Sequence, residues 1–249
     1  MTDHPDWKTI GRRETIGALA AATLGCVAGC LERASLTEYE SSPAGVDSSV
    51  WEETGYEPVV VESVASEREV GVGPVTEDVT AINYLTEYGK SIDAGPLGEQ
   101  RTAAFVVLST PRVEFVGREY NPVGGMSADE LVAEIERAVD PLDDVQFETE
   151  RTVTVLDQST VHSRYVGEID RFGRSVDADL HVSEAVETDD DFVATVGVYP
   201  RRLRDGELET VRTLAEGVVP AVDADANAEF DADDESVLEE AVADDHLDD

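Results

Sequence analysis

Two histidines, His162 and His181, are the residues whose chemistry the sequence brings together most sharply. The stretches 159–168 and 174–186 flank Asp170-Arg171-Phe172-Gly173, and a four-residue loop there folds them into a hairpin. In that register Val161 faces Val182, Ser163 faces Leu180 and Tyr165 faces Ala178 on one side. On the other side His162 faces His181 and Arg164 faces Asp179. The apolar side is self-consistent, and the Arg–Asp pair has the right sign. Two facing imidazoles are two of the ligands a metal needs. No third ligand stands at a fixed spacing, and a solvated polar sheet face accounts for the same residues, so no metal site is assigned.

A second candidate lies near the C-terminus. Asp223, Asp225, Asn227 and Asp231 mimic the ligand spacing of an EF-hand loop running to Asp234. The loop lacks the glycine needed at its sixth position and ends in Asp rather than a bidentate Glu. Residues 221–249 hold thirteen acids and no Lys or Arg, the composition of a solvated, disordered tail. No nucleophile elbow, P-loop, G-x-G-x-x-G or H-E-x-x-H occurs anywhere. No catalytic residue and no cofactor is assigned.

The third chemistry is a thiol. Arg12 and Arg13 precede a weakly apolar run of thirteen residues, Ile16 to Ala28, and Val27-Ala28-Gly29-Cys30 follows. The run is too short and too polar to span about 30 Å of hydrocarbon, so it reads as the h-region of an export signal. The paired arginines supply the fixed charge a translocation receptor reads. Glu14 and Thr15 depart from the usual twin-arginine pattern, which leaves the general secretory route open. Ala28 and Gly29 admit a peptidase, and Cys30 takes the lipid. Cys26, the only other cysteine, leaves with the signal. The mature domain then has no thiol for a disulfide, a metal or catalysis.

Charge names the solvent. There are 56 acidic and 18 basic residues, net −38, and only Lys8 and Lys90 are lysines. Removing residues 1–29 deletes three bases and three acids, so the mature charge is the same. Such like charge opposes compaction in dilute buffer. In molar salt the Debye length is about 3 Å and the repulsion largely vanishes. The composition is that of a protein from an extremely halophilic archaeon. Nucleic acid is excluded as a partner, because no basic patch neutralises phosphate.

These features divide the chain into an export signal (1–29), a lipidated N-terminus and tether (30–41), one domain (42–219) and an acidic tail (220–249). The signal and lipid site resemble those of a family of halophilic archaeal lipoproteins of unknown function. So do Ser42-Pro43-Ala44-Gly45-Val46, Glu53-Thr54-Gly55-Tyr56, Gly95-Pro96-Leu97-Gly98-Glu99-Gln100-Arg101, Leu108-Ser109-Thr110-Pro111, Asn121-Pro122-Val123-Gly124 and Asp191-Phe192 through Tyr199-Pro200. The resemblance implies a compartment and a single domain, and it brings no activity.

The elements that must position these residues follow from pattern. The tether leads into a short first strand. Ser42-Pro43 predicts a helix start and Gly55 its end. Strands are predicted at 59–64, 79–92 and 102–109, the last apolar enough to be central. Pro111 breaks it, and residues 113–120 return as a strand. Ser127-Ala128-Asp129-Glu130 is a capping box opening a helix with Leu131, Ile135 and Val139 inward. Strands follow at 146–156, 159–168, 174–186 and 192–200. A last helix covers 206–217, with Leu208, Val211, Leu214 and Ala215 inward. The sum is an α+β fold, a twisted and mostly antiparallel sheet with two or three packed helices. Its length and closing helix are similar, at the level of fold alone, to Mog1/PsbP-like domains.

Two functions are compatible with this reading. The leading one is a non-catalytic domain, lipid-anchored at the extracellular face of the membrane, that binds a protein or small-molecule ligand or supports the envelope. The alternative is a surface hydrolase using carboxylates or a His-bound metal. A solute-binding component of a transporter is disfavoured, since one domain of this size has no second lobe to close.

Overall fold

The computed structural model describes residues 8–10, 37–72, 74–93, 99–138, 142–170 and 175–223. Cys30, Arg12, Arg13 and the acidic loop beyond Asp223 lie outside the described residues. The strands are β1 (Lys8–Ile10), β2 (Thr37–Glu40), β3 (Gly45–Val46), β4 (Glu57–Val72), β5 (Val75–Asp93), β6 (Glu99–Pro111), β7 (Glu114–Phe115), β8 (Arg118–Glu119), β9 (Leu142–Val155), β10 (Gln158–Asp170), β11 (Ser175–Ser183), β12 (Val186–Glu187), β13 (Asp191–Pro200) and β14 (Val218–Val219). The helices are α1 (Ser48–Thr54), α2 (Ala128–Ala138) and α3 (Arg204–Glu216). The fold is α+β. One sheet runs β1-β4-β5-β6-β13-β11-β10-β9, with β12 on β13 and β2 on β5. Every pairing in it is antiparallel except β2 with β5, which is parallel.

β6 and β13 are central, and their residues alternate between two covered faces. Phe105, Val107, Val193 and Tyr199 join Val211, Leu214 and Ala215 of α3 in one core. On the opposite face Leu180, Val182 and Tyr165 pack under Ala128, Leu131 and Val132 of α2. Gly197 permits the close approach of α3: a Cβ there would lie 2.7 Å from Val211 Cγ1. The capping box forms as its residue types dictate. Ser127 N–H donates to Glu130 Oε2 at 2.9 Å, and Glu130 N–H donates back to Ser127 Oγ at 3.3 Å.

Four expectations need correction. Residues 42–44 do not start a helix, because their carbonyls accept from the sheet and the C-terminal segment. Ser42 O takes Ser109 Oγ–H, Pro43 O takes Val222 N–H and Ala44 O takes Thr86 Oγ1–H. The helix starts after Asp47, whose carboxylate accepts from Ser49 N–H at 2.9 Å, and it ends as expected at Gly55, with φ 74°. Residues 113–120 do not return to the sheet but form the small hairpin β7–β8. Leu208 is half-buried, and the inward position belongs to Glu207. The β10–β11 register differs by two residues: Asp170 pairs with Ser175, and Arg164 pairs with His181 rather than Asp179.

Candidate functional site

A slip of two residues preserves strand parity, so every side chain stays on its expected face. His162 and His181 are therefore still neighbours, now on a diagonal, with ring centroids 5.3 Å apart and planes at 40°. Both are 3% exposed, buried between the sheet and the α3 layer rather than displayed on a solvated face.

From His181 a polar chain runs toward α3. Its Nε2 lies 2.8 Å from the hydroxyl of Tyr199, which also bonds Asp179, its cross-strand partner. A carboxylate can only accept, so the Tyr199 proton goes to Asp179 and His181 donates from Nε2. Asp179 is fully buried and gripped in a fork by Arg204, Nε at 2.5 Å and Nη2 at 2.6 Å. Arg204 reaches on to Glu148 at 3.1 Å, which Arg164 also meets at 2.8 Å and Arg201 at 3.4 Å. Glu148 can serve three arginines because β9 bulges there. Phe147 pairs with Tyr165 and Thr149 with Arg164, leaving Glu148 as the extra residue.

One turn along α3 a second fastening repeats the design with charges exchanged. Glu207 is buried and accepts from Tyr56 hydroxyl at 3.0 Å and from Lys90 Nζ at 2.8 Å. Lys90 also lies 5.5 Å from the centroid of the Tyr56 ring. Thus Arg204 and Glu207, three residues apart on one helix, both terminate in the sheet.

The electrostatics follow from burial. Desolvation, and then Arg151, push His162 down to about 4. Desolvation first, then His162 and nearby arginines, push His181 down to about 2. Both rings are neutral at physiological pH. Burial, with Glu207 beside Tyr56 and Asp179 beside Tyr199, raises both phenols well above their ordinary range. His162 Nε2 is buried without a hydrogen-bond partner among the described residues. Among those residues no group of three or more His, Cys, Asp or Glu is arranged to hold a metal. Chemically the cluster is a pair of neutral buried rings joined through Tyr199 to a buried Asp179–Arg204 ion pair, with the Glu148 end partly exposed. It fastens α3 to the sheet.

A third network joins distant stretches at the other end of the sheet. Ser41 Oγ–H donates to Ser109 O at 3.0 Å, and Ser42 N–H to Asp191 Oδ2 at 3.0 Å. Asn121 Nδ2 donates to Thr110 Oγ1 at 2.7 Å and Pro111 O at 2.6 Å. Gly124 lies so close to Phe192 that a Cβ would stand 2.3 Å from the ring. Apart from Ser41, these residues fall in the stretches that carry the sequence resemblance. The family described as Domain of unknown function (DUF6517) matches residues 43–219. The chain belongs to DUF6517. No curated protein matches it. All three networks draw on the DUF6517 region.

Sequence reasoning placed the two histidines together on the right face. It missed Asp179–Arg204, Glu148, and Glu207 with Tyr56 and Lys90. One signal for Glu207 was present: it lies four residues before Val211 and seven before Leu214, on the buried stripe of α3.

Proposed function

We propose that this DUF6517 chain is a non-catalytic domain tethered by lipid on Cys30 to the extracellular face of the membrane of a halophilic archaeon, where it binds a protein or small-molecule partner or supports envelope assembly. The observation that carries the non-catalytic reading is the state of the chemistry-bearing residues. His162 and His181 are buried and neutral, and Asp179, Tyr199, Arg204 and Glu207 are committed to one another or to Tyr56 and Lys90. A surface hydrolase would need an acid, base or nucleophile within reach of substrate. The anchor is supported by the order of Arg12-Arg13, the short apolar run and Ala28-Gly29-Cys30. Among the described residues no helix is long and apolar enough to cross a membrane.

Fractionation of cells expressing Cys30→Ser tests the reading. The variant should appear in the medium or persist as uncleaved precursor, while the parent chain sediments with membranes. Processed Cys30→Ser protein still held on membranes would refute the anchor.

A further inference from the structure

At the end of β5 opposite Lys90 and the α3 clamp stand two hairpin tips that each expose a valine. Beyond Tyr84, where β6 stops pairing, β4 and β5 continue as an arm closed by Val72 opposite Val75. Residues 70–76, Val-Gly-Val-Gly-Pro-Val-Thr, contain no charge in a chain that is 30% charged. Val75 is 56% exposed at the arm's tip. Beside it β7–β8 turns through Val116 and Gly117, and Val116 is 66% exposed. Val116 holds φ at 51°, a conformation costly for a β-branched residue and free for Gly or Asn. A valine that is both exposed and strained is poorly explained by folding alone.

The two tips are fixed at one end. Tyr120 hydroxyl donates to Gly71 O at 2.7 Å, and Arg68 Nη1 donates to Tyr120 O at 2.9 Å. Val70, Val79, Ala81 and Val113 pack between the arm and the small hairpin, with Phe115 and Tyr120 against them.

The direction of β2 decides what these tips face. It pairs parallel to β5, with Thr37 opposite Val79 and Glu40 opposite Ile82. Traced back from Thr37, the chain therefore heads the way β5 runs from Val79 back to Val75, toward the arm's tip. Cys30 lies seven residues before Thr37 and can reach at most about 25 Å from it. The tip lies four residues of strand beyond Val79, about 13 Å. A lipid on Cys30 can thus enter a bilayer no more than about 12 Å beyond Val75 along this axis. β1 does not obstruct this end in the mature chain, because it is upstream of Cys30 and departs with the signal.

Resting on the anchor proposed above, we infer that the Val75 and Val116 tips sit in the bilayer interface beside the lipid on Cys30 and hold the α3 end outward. The depth is shallow. Glu69, Asp78, Glu114 and Glu119, all exposed, begin just behind the tips and stay hydrated at headgroup level.

The test uses the full, lipidated chain, in which processing leaves no free thiol. Val75→Cys, Val116→Cys and, as a control, the exposed Arg202→Cys are each labelled with an environment-sensitive fluorophore. Arg202 follows Pro200, at the opposite end of β13 from Asp191 and the arm. The chains are reconstituted in protein-free phosphatidylglycerol vesicles in molar KCl. The inference expects blue-shifted emission, quenched by a lipid-borne quencher, at 75 and 116 and water-like emission at 202. Water-like emission at all three positions in chains that float with the vesicles overturns the inference and leaves the anchor intact. A shift that appears only in native membranes and not in these vesicles assigns the tips to a protein partner and also overturns it. Chains that do not float with the vesicles remove the anchor, and the inference with it.

Discussion

α2 and α3 cover opposite faces of the same sheet by different means. α2 presents Ala128, Leu131 and Val132 to an apolar floor of Leu180 and Val182, with a hydrogen bond from Tyr165 to Asp129 at 2.6 Å near its start. α3 uses Val211, Leu214 and Ala215 in its second half, but its first turn is held by Arg204 on Asp179 and Glu207 on Tyr56 and Lys90. Apolar packing tolerates small slides, since dispersion and burial are not directional. Two opposite charges three residues apart, each met by its complement, fix the rotation and the position of α3 together. The cost is dependence on ionisation. Removing one member of a buried pair leaves a charge without compensation.

The largest effect should come from breaking the clamp. Arg204→Met leaves the Asp179 carboxylate, which is fully buried, without its fork. The expected loss is about 3–5 kcal/mol of unfolding free energy in high salt, measured by denaturant titration. Arg204→Met with Asp179→Leu should recover most of it, since the uncompensated charge is then gone. A loss below about 1 kcal/mol in the single variant would place this pair with ordinary surface ion pairs and dissolve the contrast with α2.

Acid probes the same face through its two buried histidines. The His162 pKa is lowered in the folded state to about 4, so the unfolded chain takes up a proton that the folded one refuses between its ordinary value near 6.5 and 4. The contribution is present in full above about pH 6.5 and is lost as pH falls through that window, by about 3 kcal/mol. His181 adds to the loss in the same direction. His162→Leu should flatten the decline between pH 6.5 and 4, as thermal midpoints in molar salt would record. An equally steep decline in that variant would move the acid sensitivity elsewhere.

Much of the fold was legible because α2 and the central strands obey local rules. Ser127 and Glu130 announced the helix before any packing was known, and residues 102–109 read as central because both faces are apolar. What failed was decided by distant partners. The Ser42-Pro43 signal lost to carbonyls engaged by Ser109, Thr86 and Val222, which no local pattern encodes. The two-residue slip between β10 and β11 kept the faces because parity is what burial selects, while the pairing itself depends on the turn. Glu207 was passed over because a glutamate on a helix reads as solvated unless its partners are known. For the candidate site, the histidine pair was visible and its burial was not, because α3 and the sheet meet only in three dimensions.

The smallest effect belongs to α2. Ser127→Ala removes the cap of a helix attached mainly by apolar packing, with one Tyr165–Asp129 hydrogen bond, and should cost about 1 kcal/mol by denaturant titration. A penalty matching that of Arg204→Met would mean that α2 also hangs on a polar fastening, and the asymmetry between the faces would disappear.

The parallel pairing of β2 has a mechanical consequence. A force applied upstream of Thr37 draws β2 lengthwise along β5, from Thr37 opposite Val79 to Glu40 opposite Ile82. The evenly spaced bonds of a parallel ladder then share the load in shear. Had β2 turned back antiparallel as a hairpin pulled at one end, the same bonds would break in succession, like a zip. Ser41 N–H on Ile82 O, and Ser41 Oγ–H on Ser109 O, extend the loaded stretch into the central strand β6. A drag on the N-terminus is thereby passed to the middle of the sheet instead of peeling its edge.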